Sequence, residues 1–164
     1  MIGLTKVLYT ADATVEGGRS GHARTNDRRL DVDLDVPREM GGAGGPGTNP
    51  EQLFAVGYAA CFQSTLIRIA AARKLDLTRT RIMCRVCIGV VVGGGFGLAV
   101  SLDLDPVQLG FSEAASLMEQ AHQACPYSRA TRDNIEVTLA VGGVTIEPRG
   151  APLATNPEHP TRGA

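Results

Sequence analysis

One long, almost uncharged helix limits what this chain can fold into. Residues 50–74 read PEQLFAVGYAACFQSTLIRIAAARK, and between Leu53 and Ile67 apolar residues fall on nearly every side of a helix. Such a helix has to be covered by other structure on all sides. At a rise of about 1.5 Å per residue it would extend roughly 36 Å. The sheets of a 164-residue chain can cover one side of it well.

The need to cover this helix predicts how the protein assembles. Alanines and Gly57 leave flat patches on its surface that suit close contact between helices. We therefore expect a homodimer in which two such helices pack against each other at the centre. The alternative is a monomer whose single central helix is buried on every side.

Two overlapping signals mark the start of this helix. Asn49 can cap it with Pro50 at the first helical position. Alternatively, Thr48 and Glu51 can form a capping box, in which each side chain bonds the backbone of the other. Either signal places the first helical residue at about position 50.

Strand patterns lie on both sides of the long helix. They occupy residues 6–18, 22–27, 30–36, 81–92, 96–106 and 134–148. A second helix is predicted over 113–124, with Ser112 as its cap and an end or kink at Cys125-Pro126. This order of elements indicates an α+β fold and not a βαβ alternation. One domain is expected over 1–147, followed by a Pro-rich tail, 148–164, that is expected to be disordered.

Charge and composition argue against several classes of partner. The net charge is −1 and the pI about 6.3, so nothing indicates nucleic acid or an anionic membrane surface. No apolar stretch follows a basic start, so no signal peptide is expected. The uncharged runs 52–67 and 86–102 fall short of the roughly 20 apolar residues of a membrane-spanning helix. A cytoplasmic location is expected, where four cysteines favour catalysis, redox cycling or burial over structural disulfides.

Two of the four cysteines could act together. Cys61 lies in the long helix, and Cys125 lies at the junction before Pro126. A sulfenic acid formed on one thiol condenses readily with a second thiol, provided that the Cα atoms approach to about 4.4–6.8 Å. The alternative is that both are buried as small hydrophobic side chains. Spacing alone leaves both interpretations open.

Two further motifs favour structural roles. Cys84 and Cys87 match C-x-x-C but would point to opposite faces of a strand, so they cannot hold one metal ion or form a redox pair there. Residues 42–47 satisfy G-x-G-x-x-G, but Pro46 and Pro50 prevent a helix from starting at these glycines. A closely packed glycine-rich loop is therefore expected instead of a nucleotide site.

The histidines and two charged residues carry little signal by themselves. The spacing of His22, His122 and His159 is not typical of a metal site or a catalytic triad. His122 precedes Cys125 by three residues on a predicted helix and could contact it. Considered alone, Arg19 is a solvated charge after two glycines, and Glu51 is a carboxylate in a capping box.

Three longer motifs resemble one known family. GGAGGPGTNPEQLFAVGYAACF, AHQACPYSRATRDNIEVTLAV and ATVEGGRSG are similar to the organic hydroperoxide resistance (Ohr) proteins of the Ohr/OsmC superfamily. The similarity covers about residues 3–143. The GGR, PEQLFA-x-GYAACF and CPYS motifs together favour the Ohr branch over the OsmC branch. One departure is Arg129, where small polar residues or lysine are more usual, and it could alter the entrance near Cys125.

The resemblance implies a thiol peroxidase that reduces organic hydroperoxides, including lipid-derived ones, to alcohols. Cys61 would be the peroxidatic thiol and Cys125 the resolving thiol, with Arg19 and Glu51 as the polar pair that activates Cys61. The family has no tightly bound cofactor, and its electron donor is dihydrolipoamide, often carried on a lipoylated protein. Its fold is an intertwined homodimer with antiparallel sheets wrapped around two long central helices. The alternatives are an OsmC-type peroxidase of broader substrate range, a non-enzymatic peroxide sensor or binding protein, and a structural dimer with inert thiols.

Thiol chemistry explains why a cation would lie beside Cys61. A free cysteine with a pKa near 8.5 is only about 3% ionised at pH 7, and burial in an apolar helix raises the pKa further. Arg19 would lower it, with Glu51 as the carboxylate that a buried guanidinium needs. Glu51 and Cys61 are ten residues apart, about 15 Å along a straight helix. Either the helix breaks near Gly57 or, as we expect, Arg19 and Glu51 reach Cys61 of the other subunit.

Overall fold

The computed structural model describes residues 3–105 and 108–147. Within these residues, the α-helices are α1 (Pro50–Ala72), α2 (Phe111–Ala124) and α3 (Pro126–Thr131). Seven strands form in this part of the chain: β1 (Ala13–Glu16), β2 (His22–Thr25), β3 (Asp31–Asp33), β4 (Ile82–Val90), β5 (Phe96–Leu104), β6 (Glu136–Val141) and β7 (Val144–Thr145). The tail predicted at 148–164 lies outside the described residues.

The strands form two sheets, and the predicted α+β class is confirmed. Strands β1, β2 and β3 pair antiparallel in one sheet, and β4, β5, β6 and β7 follow in that order in the other. One pair departs from the expected antiparallel arrangement, because β6 runs parallel to β5. The reason lies in the connection: α2 and α3 carry the chain back to the start of the sheet, and such a crossover produces parallel neighbours.

The start of α1 follows one of the two predicted signals. The Asn49 side chain accepts a hydrogen bond of 2.9 Å from the backbone N–H of Gln52, with Pro50 at the first helical position. The capping box does not form, because the Thr48 hydroxyl donates to the Gln52 side chain at 2.8 Å. The helix then continues without a break through Gly57.

Removing this cap has a measurable cost. Replacing Asn49 with alanine is expected to lower the free energy of unfolding by about 1 kcal/mol, because one backbone donor at the start of α1 loses its partner. Urea unfolding at a fixed protein concentration would measure the change. Thr48→Ala is the matched control and should stay within about 0.5 kcal/mol. Equal losses in the two variants would contradict the assignment of Asn49 as the cap.

The second helix begins earlier than predicted. Gly110 occupies the capping position of α2 and the helix begins at Phe111, so Ser112 already lies inside the first turn and does not cap it. The helix ends at Ala124 as expected. Cys125 has extended backbone with φ −65° and ψ 128°, and Pro126 immediately begins α3. Cys125 is therefore a single non-helical residue held between two helices.

Only one side of α1 is covered within a single chain. Tyr58, Phe62, Leu66 and Ala70 are fully buried at helical spacing and pack in the core with α2 and β5. Only 28% of the most apolar 18-residue window of α1 is buried, and the Val56 side chain is 71% exposed. The covering of the other faces by a second copy stays a prediction, and the exposed apolar surface agrees with it.

The N-terminal strand is shorter than predicted. Of residues 6–18, only Ala13–Glu16 pair in a sheet, and the preceding segment exposes Leu4, Val7, Leu8 and Tyr9, each by 64% or more. Within the described residues, no strand pairs with this preceding segment, so it stays outside the sheet. Sheet pairing depends on an available partner strand as well as on the local sequence.

The expectation about membrane spans needs one correction. By length and composition, α1 is long and apolar enough to cross a membrane. The central helix of a soluble protein meets the same criterion, so this result is weak evidence for a span. In this fold α1 packs against α2, α3 and β4.

Candidate active site

Two cysteines meet where α1 passes the junction between α2 and α3. The sulfur atoms of Cys61 and Cys125 are 3.5 Å apart although the residues are separated by 64 positions in the chain. Both are free thiols; Cys125 is fully buried and Cys61 is partly exposed. A disulfide needs about 2.05 Å between sulfurs, so a small movement would join them. The structure thus brings together the two thiols that the sequence singled out.

The surroundings of Cys61 favour the protonated thiol in a single chain. Burial raises the pKa of the Cys61 thiol, a hydrogen bond from the backbone N–H of Tyr127 lowers it, and the adjacent Cys125 thiol raises it. None of these influences comes from a cation. Activation of this sulfur as a nucleophile therefore needs a positive charge from elsewhere.

Arg19 and Glu51 form a second pair. Arg19 lies in a short 3-10 turn, Gly18–Ser20, after Gly17, which has a left-handed backbone (φ 73°). Its guanidinium donates two hydrogen bonds to the Glu51 carboxylate at 2.8 and 2.6 Å. These bonds hold the pKa of Glu51 below its usual range and raise that of Arg19. Both groups are therefore charged at neutral pH, and Glu51 serves this pair instead of a capping box.

The two pairs lie apart within one chain. Glu51 and Cys61 sit on the same unbroken helix, so the ten-residue separation corresponds to about 15 Å. Of the two arrangements considered, a break near Gly57 does not occur. A cavity of about 360 Å³ beside Arg19 and Glu51 has an apolar wall. That wall is formed by Phe54, Ile88, Phe96 and Leu98.

Three aromatic rings of α1 and α3 pack against one another, and one of them, Phe54, lines this cavity. Phe54 and Tyr58, one turn apart on α1, have ring centres 5.7 Å apart, and Tyr127 of α3 lies 6.2 Å from Phe54 and 5.8 Å from Tyr58. Phe62, the other phenylalanine of α1, is fully buried in the core and does not line the cavity. Tyr127 was missed, although its place two residues after Cys125 was a signal.

The remaining cysteines lie on opposite faces of β4, as the strand period predicts. Cys84 faces the core and Cys87 is exposed. Burial raises the pKa of the Cys84 thiol to about 11, so it stays protonated near neutral pH. This geometry agrees with a structural role for the C-x-x-C motif.

The glycine-rich loop packs closely on the preceding segment. A side chain on Gly42 would collide with the Val36 backbone, and the Gly47 N–H donates to the Asp35 carboxylate at 2.6 Å. The loop needs glycine for these close approaches, which is the role expected from the sequence. Arg129, the departure from the family motif, is exposed on α3.

The described histidines lie away from the thiols. The His22 ring bonds Asp31 and Asp33 at 2.7 and 2.8 Å, which raises its pKa. His122 forms no hydrogen bond to Cys125 among the described residues. It lines a cavity of about 860 Å³ between α2 and β6, where burial lowers its pKa. No group of three potential metal ligands occurs within 3–105 and 108–147, and His159 lies outside these residues.

Comparisons with known proteins agree on one family. The family model described as OsmC-like protein matches residues 41–140. An organic hydroperoxide resistance protein of Xanthomonas axonopodis pv. citri is 53% identical over 137 residues, which cover 83% of this chain and 96% of that protein.

Solved structures lead to the same family. The organic hydroperoxide resistance protein OhrB of Bacillus subtilis gives a TM-score of 0.76 at 40% identity, over 82% of this chain and 99% of that one. The organic hydroperoxide resistance protein from Elizabethkingia anophelis, with thiocyanate bound, gives a TM-score of 0.78 at 44% identity, over 84% of this chain and 98% of that one. Sequence and fold together place this chain in the Ohr/OsmC family, among the organic hydroperoxide resistance proteins.

Proposed function

We propose that this protein is a cysteine-based peroxidase that reduces organic hydroperoxides to alcohols. The observation that carries the proposal is the 3.5 Å approach of the Cys61 and Cys125 sulfurs. The Cys61 thiolate attacks one peroxide oxygen, the O–O bond breaks, and the alcohol leaves with a proton. Cys61 is then a sulfenic acid. The Cys125 thiol attacks its sulfur, water leaves, and a Cys61–Cys125 disulfide forms.

The activating charge is proposed to come from a second copy of the chain. Glu51, which holds Arg19, is about 15 Å from Cys61 along α1, and none of the groups that shift the pKa of the Cys61 thiol within one chain is a cation. In a dimer with the uncovered faces of α1 at its centre, Arg19 of the partner subunit would lie beside Cys61. Glu51 would hold the guanidinium plane through its two hydrogen bonds. The exposed apolar segment before β1 supports such an intertwined assembly.

The proposed substrates are bulky alkyl or acyl hydroperoxides, including those of lipids. The cavity beside Arg19 is walled by aliphatic and aromatic side chains, and Phe54 connects it to Tyr127. Such walls gain free energy by covering apolar surface, which hydrogen peroxide lacks. Selectivity for organic peroxides follows from this difference.

The reductant is proposed to be a lipoyl dithiol carried on a lipoylated protein, with no tightly bound cofactor and a cytoplasmic location. A dithiol reduces the disulfide by exchange: one thiolate attacks a disulfide sulfur, and the second displaces the mixed disulfide. An OsmC-type peroxidase would use the same cysteines on a broader range of peroxides. A peroxide sensor would form the disulfide without turnover.

Steady-state turnover distinguishes these functions. With dihydrolipoamide as electron donor, the wild-type protein is expected to reduce tert-butyl hydroperoxide at least about tenfold faster than hydrogen peroxide. With tert-butyl hydroperoxide as substrate, dihydrolipoamide should support a faster rate than thioredoxin. Similar rates on both peroxides would favour the OsmC-type enzyme. A single equivalent of peroxide consumed per subunit, with no turnover by any dithiol, would favour the sensor and contradict the proposal.

A further inference from the structure

A cluster of buried hydroxyl groups joins α1 to α3 directly beside the two thiols. The Tyr58 hydroxyl donates a hydrogen bond of 3.0 Å to the Ser128 hydroxyl and lies 3.3 Å from that of Thr131. Tyr58 and Ser128 are fully buried, and Thr131 is 8% exposed. Hydrogen bonds in such a place are directional, and leaving a buried partner unpaired is costly.

The cluster and the sulfur pair connect the same two segments. Tyr58 precedes Cys61 by three residues on α1, so their side chains lie about one helical turn apart. Ser128 follows Cys125 by three residues at the start of α3. The hydroxyl bridge is therefore a second contact one turn from the 3.5 Å approach of the sulfurs. A change in the bridge would alter the distance between the thiols.

The position of Cys125 depends strongly on α3. Cys125 is one extended residue between two helices, so its direction changes when either helix moves. A helix of six residues is not stable by itself and needs tertiary contacts. The Tyr58 hydroxyl provides such a contact. The Thr131 hydroxyl also bonds the Tyr127 carbonyl at 3.0 Å within α3.

We propose that the Tyr58–Ser128–Thr131 hydroxyl cluster is a positioning device that keeps Cys125 within reach of oxidised Cys61. This inference rests on the proposed function. It concerns two competing reactions of the Cys61 sulfenic acid. With the Cys125 thiol it gives a disulfide and water. With a second hydroperoxide it takes up one more oxygen, giving a sulfinic acid and the alcohol, and the thiol is lost irreversibly. The cluster favours the first reaction by its geometry and touches neither the peroxide nor the reacting sulfur.

Two substitutions remove the bridge with little change in volume. Tyr58→Phe and Ser128→Ala each delete one oxygen. Ser112→Ala deletes the hydroxyl of an exposed serine on α2 and serves as control. After a single exposure to peroxide, intact mass measures the fractions of disulfide and sulfinic acid. In both cluster variants we expect disulfide formation to slow about tenfold, since small misplacements of reacting groups have effects of this size. The peroxide concentration that inactivates half of the enzyme should fall in proportion, while the first oxidation of Cys61 keeps its rate.

The partition between the two products is measured in protein that circular dichroism shows to be fully folded. It then separates positioning from plain destabilisation, since destabilisation alone leaves the distance between the thiols of folded protein unchanged. The double variant Tyr58→Phe/Ser128→Ala should match Tyr58→Phe, because the Tyr58 hydroxyl takes part in both contacts of the cluster, with Ser128 and with Thr131. Wild-type product ratios in folded single variants would overturn the positioning role alone. Absence of any disulfide in the wild-type protein would overturn the proposed function and this inference together. Should Tyr58→Phe fail to fold, Ser128→Ala decides the matter by itself.

Discussion

Replacing Cys61 with serine is expected to abolish hydroperoxide reduction, with kcat/KM lowered at least about 1,000-fold. A serine hydroxyl is far less acidic than a thiol and cannot supply a comparable anion at this position. Turnover of tert-butyl hydroperoxide with dihydrolipoamide would measure the loss.

The control for this substitution is Cys84→Ser. Cys84 lies on β4 and packs against the core. The folded Cys84→Ser variant should therefore reduce hydroperoxide at the wild-type rate. If Cys61→Ser kept full activity, or if the two variants lost it equally, Cys61 would be a packing residue. Cys125→Ser should behave differently again. One hydroperoxide should oxidise its Cys61 to the sulfenic acid, and a second hydroperoxide should oxidise that to the sulfinic acid.

Replacing Arg19 with alanine should raise the pKa of the Cys61 thiol and lower kcat/KM at pH 7 about 100-fold. A guanidinium beside the sulfur favours the thiolate, and each unit by which it lowers the thiol pKa corresponds to about 1.4 kcal/mol of differential interaction. The rate of alkylation by iodoacetamide against pH measures this pKa directly. Arg24→Ala, at an exposed position of β2, is the control. An unchanged alkylation profile would show that Arg19 does not act on Cys61.

The lowered pKa of Glu51 predicts how the stability that the Arg19–Glu51 pair contributes is lost at low pH. Because the pKa of Glu51 is lowered in the folded protein by its bonds to Arg19, the stabilisation is complete above the ordinary glutamate pKa. It is lost as the pH falls through the folded-state value. Arg19→Ala should therefore remove part of the acid dependence of stability.

Mixing two inactive variants tests whether the site is shared. Consider a heterodimer of one Cys61→Ser subunit and one Arg19→Ala subunit. If the site is shared across the interface, one of its two sites combines the wild-type Cys61 of the second subunit with the wild-type Arg19 of the first. Random reassortment of equal amounts should then restore about a quarter of the wild-type sites. A site within one chain would regain none. This outcome separates the two arrangements without a structure of the dimer.

Several features could be read from local sequence because their causes are local. Asn49 and Pro50 start α1, and Pro126 ends the helix before Cys125, since capping and proline geometry act within a few residues. Cys84 and Cys87 had to face opposite sides once β4 was a strand. Ser112 shows the limit of such signals, because α2 begins two residues earlier than predicted, with Gly110 at its cap.

By itself, the sequence determined the central apolar helix, the α+β order of elements and the motifs that resemble one family. These depend on periodicity, on capping and on residue type at fixed spacing. Only the tertiary structure decided that the Cys61 and Cys125 sulfurs lie 3.5 Å apart, and that Tyr58 bonds Ser128. The physical reason is distance along the chain: contacts across 64 or 70 residues depend on how helices pack, and no local rule specifies that.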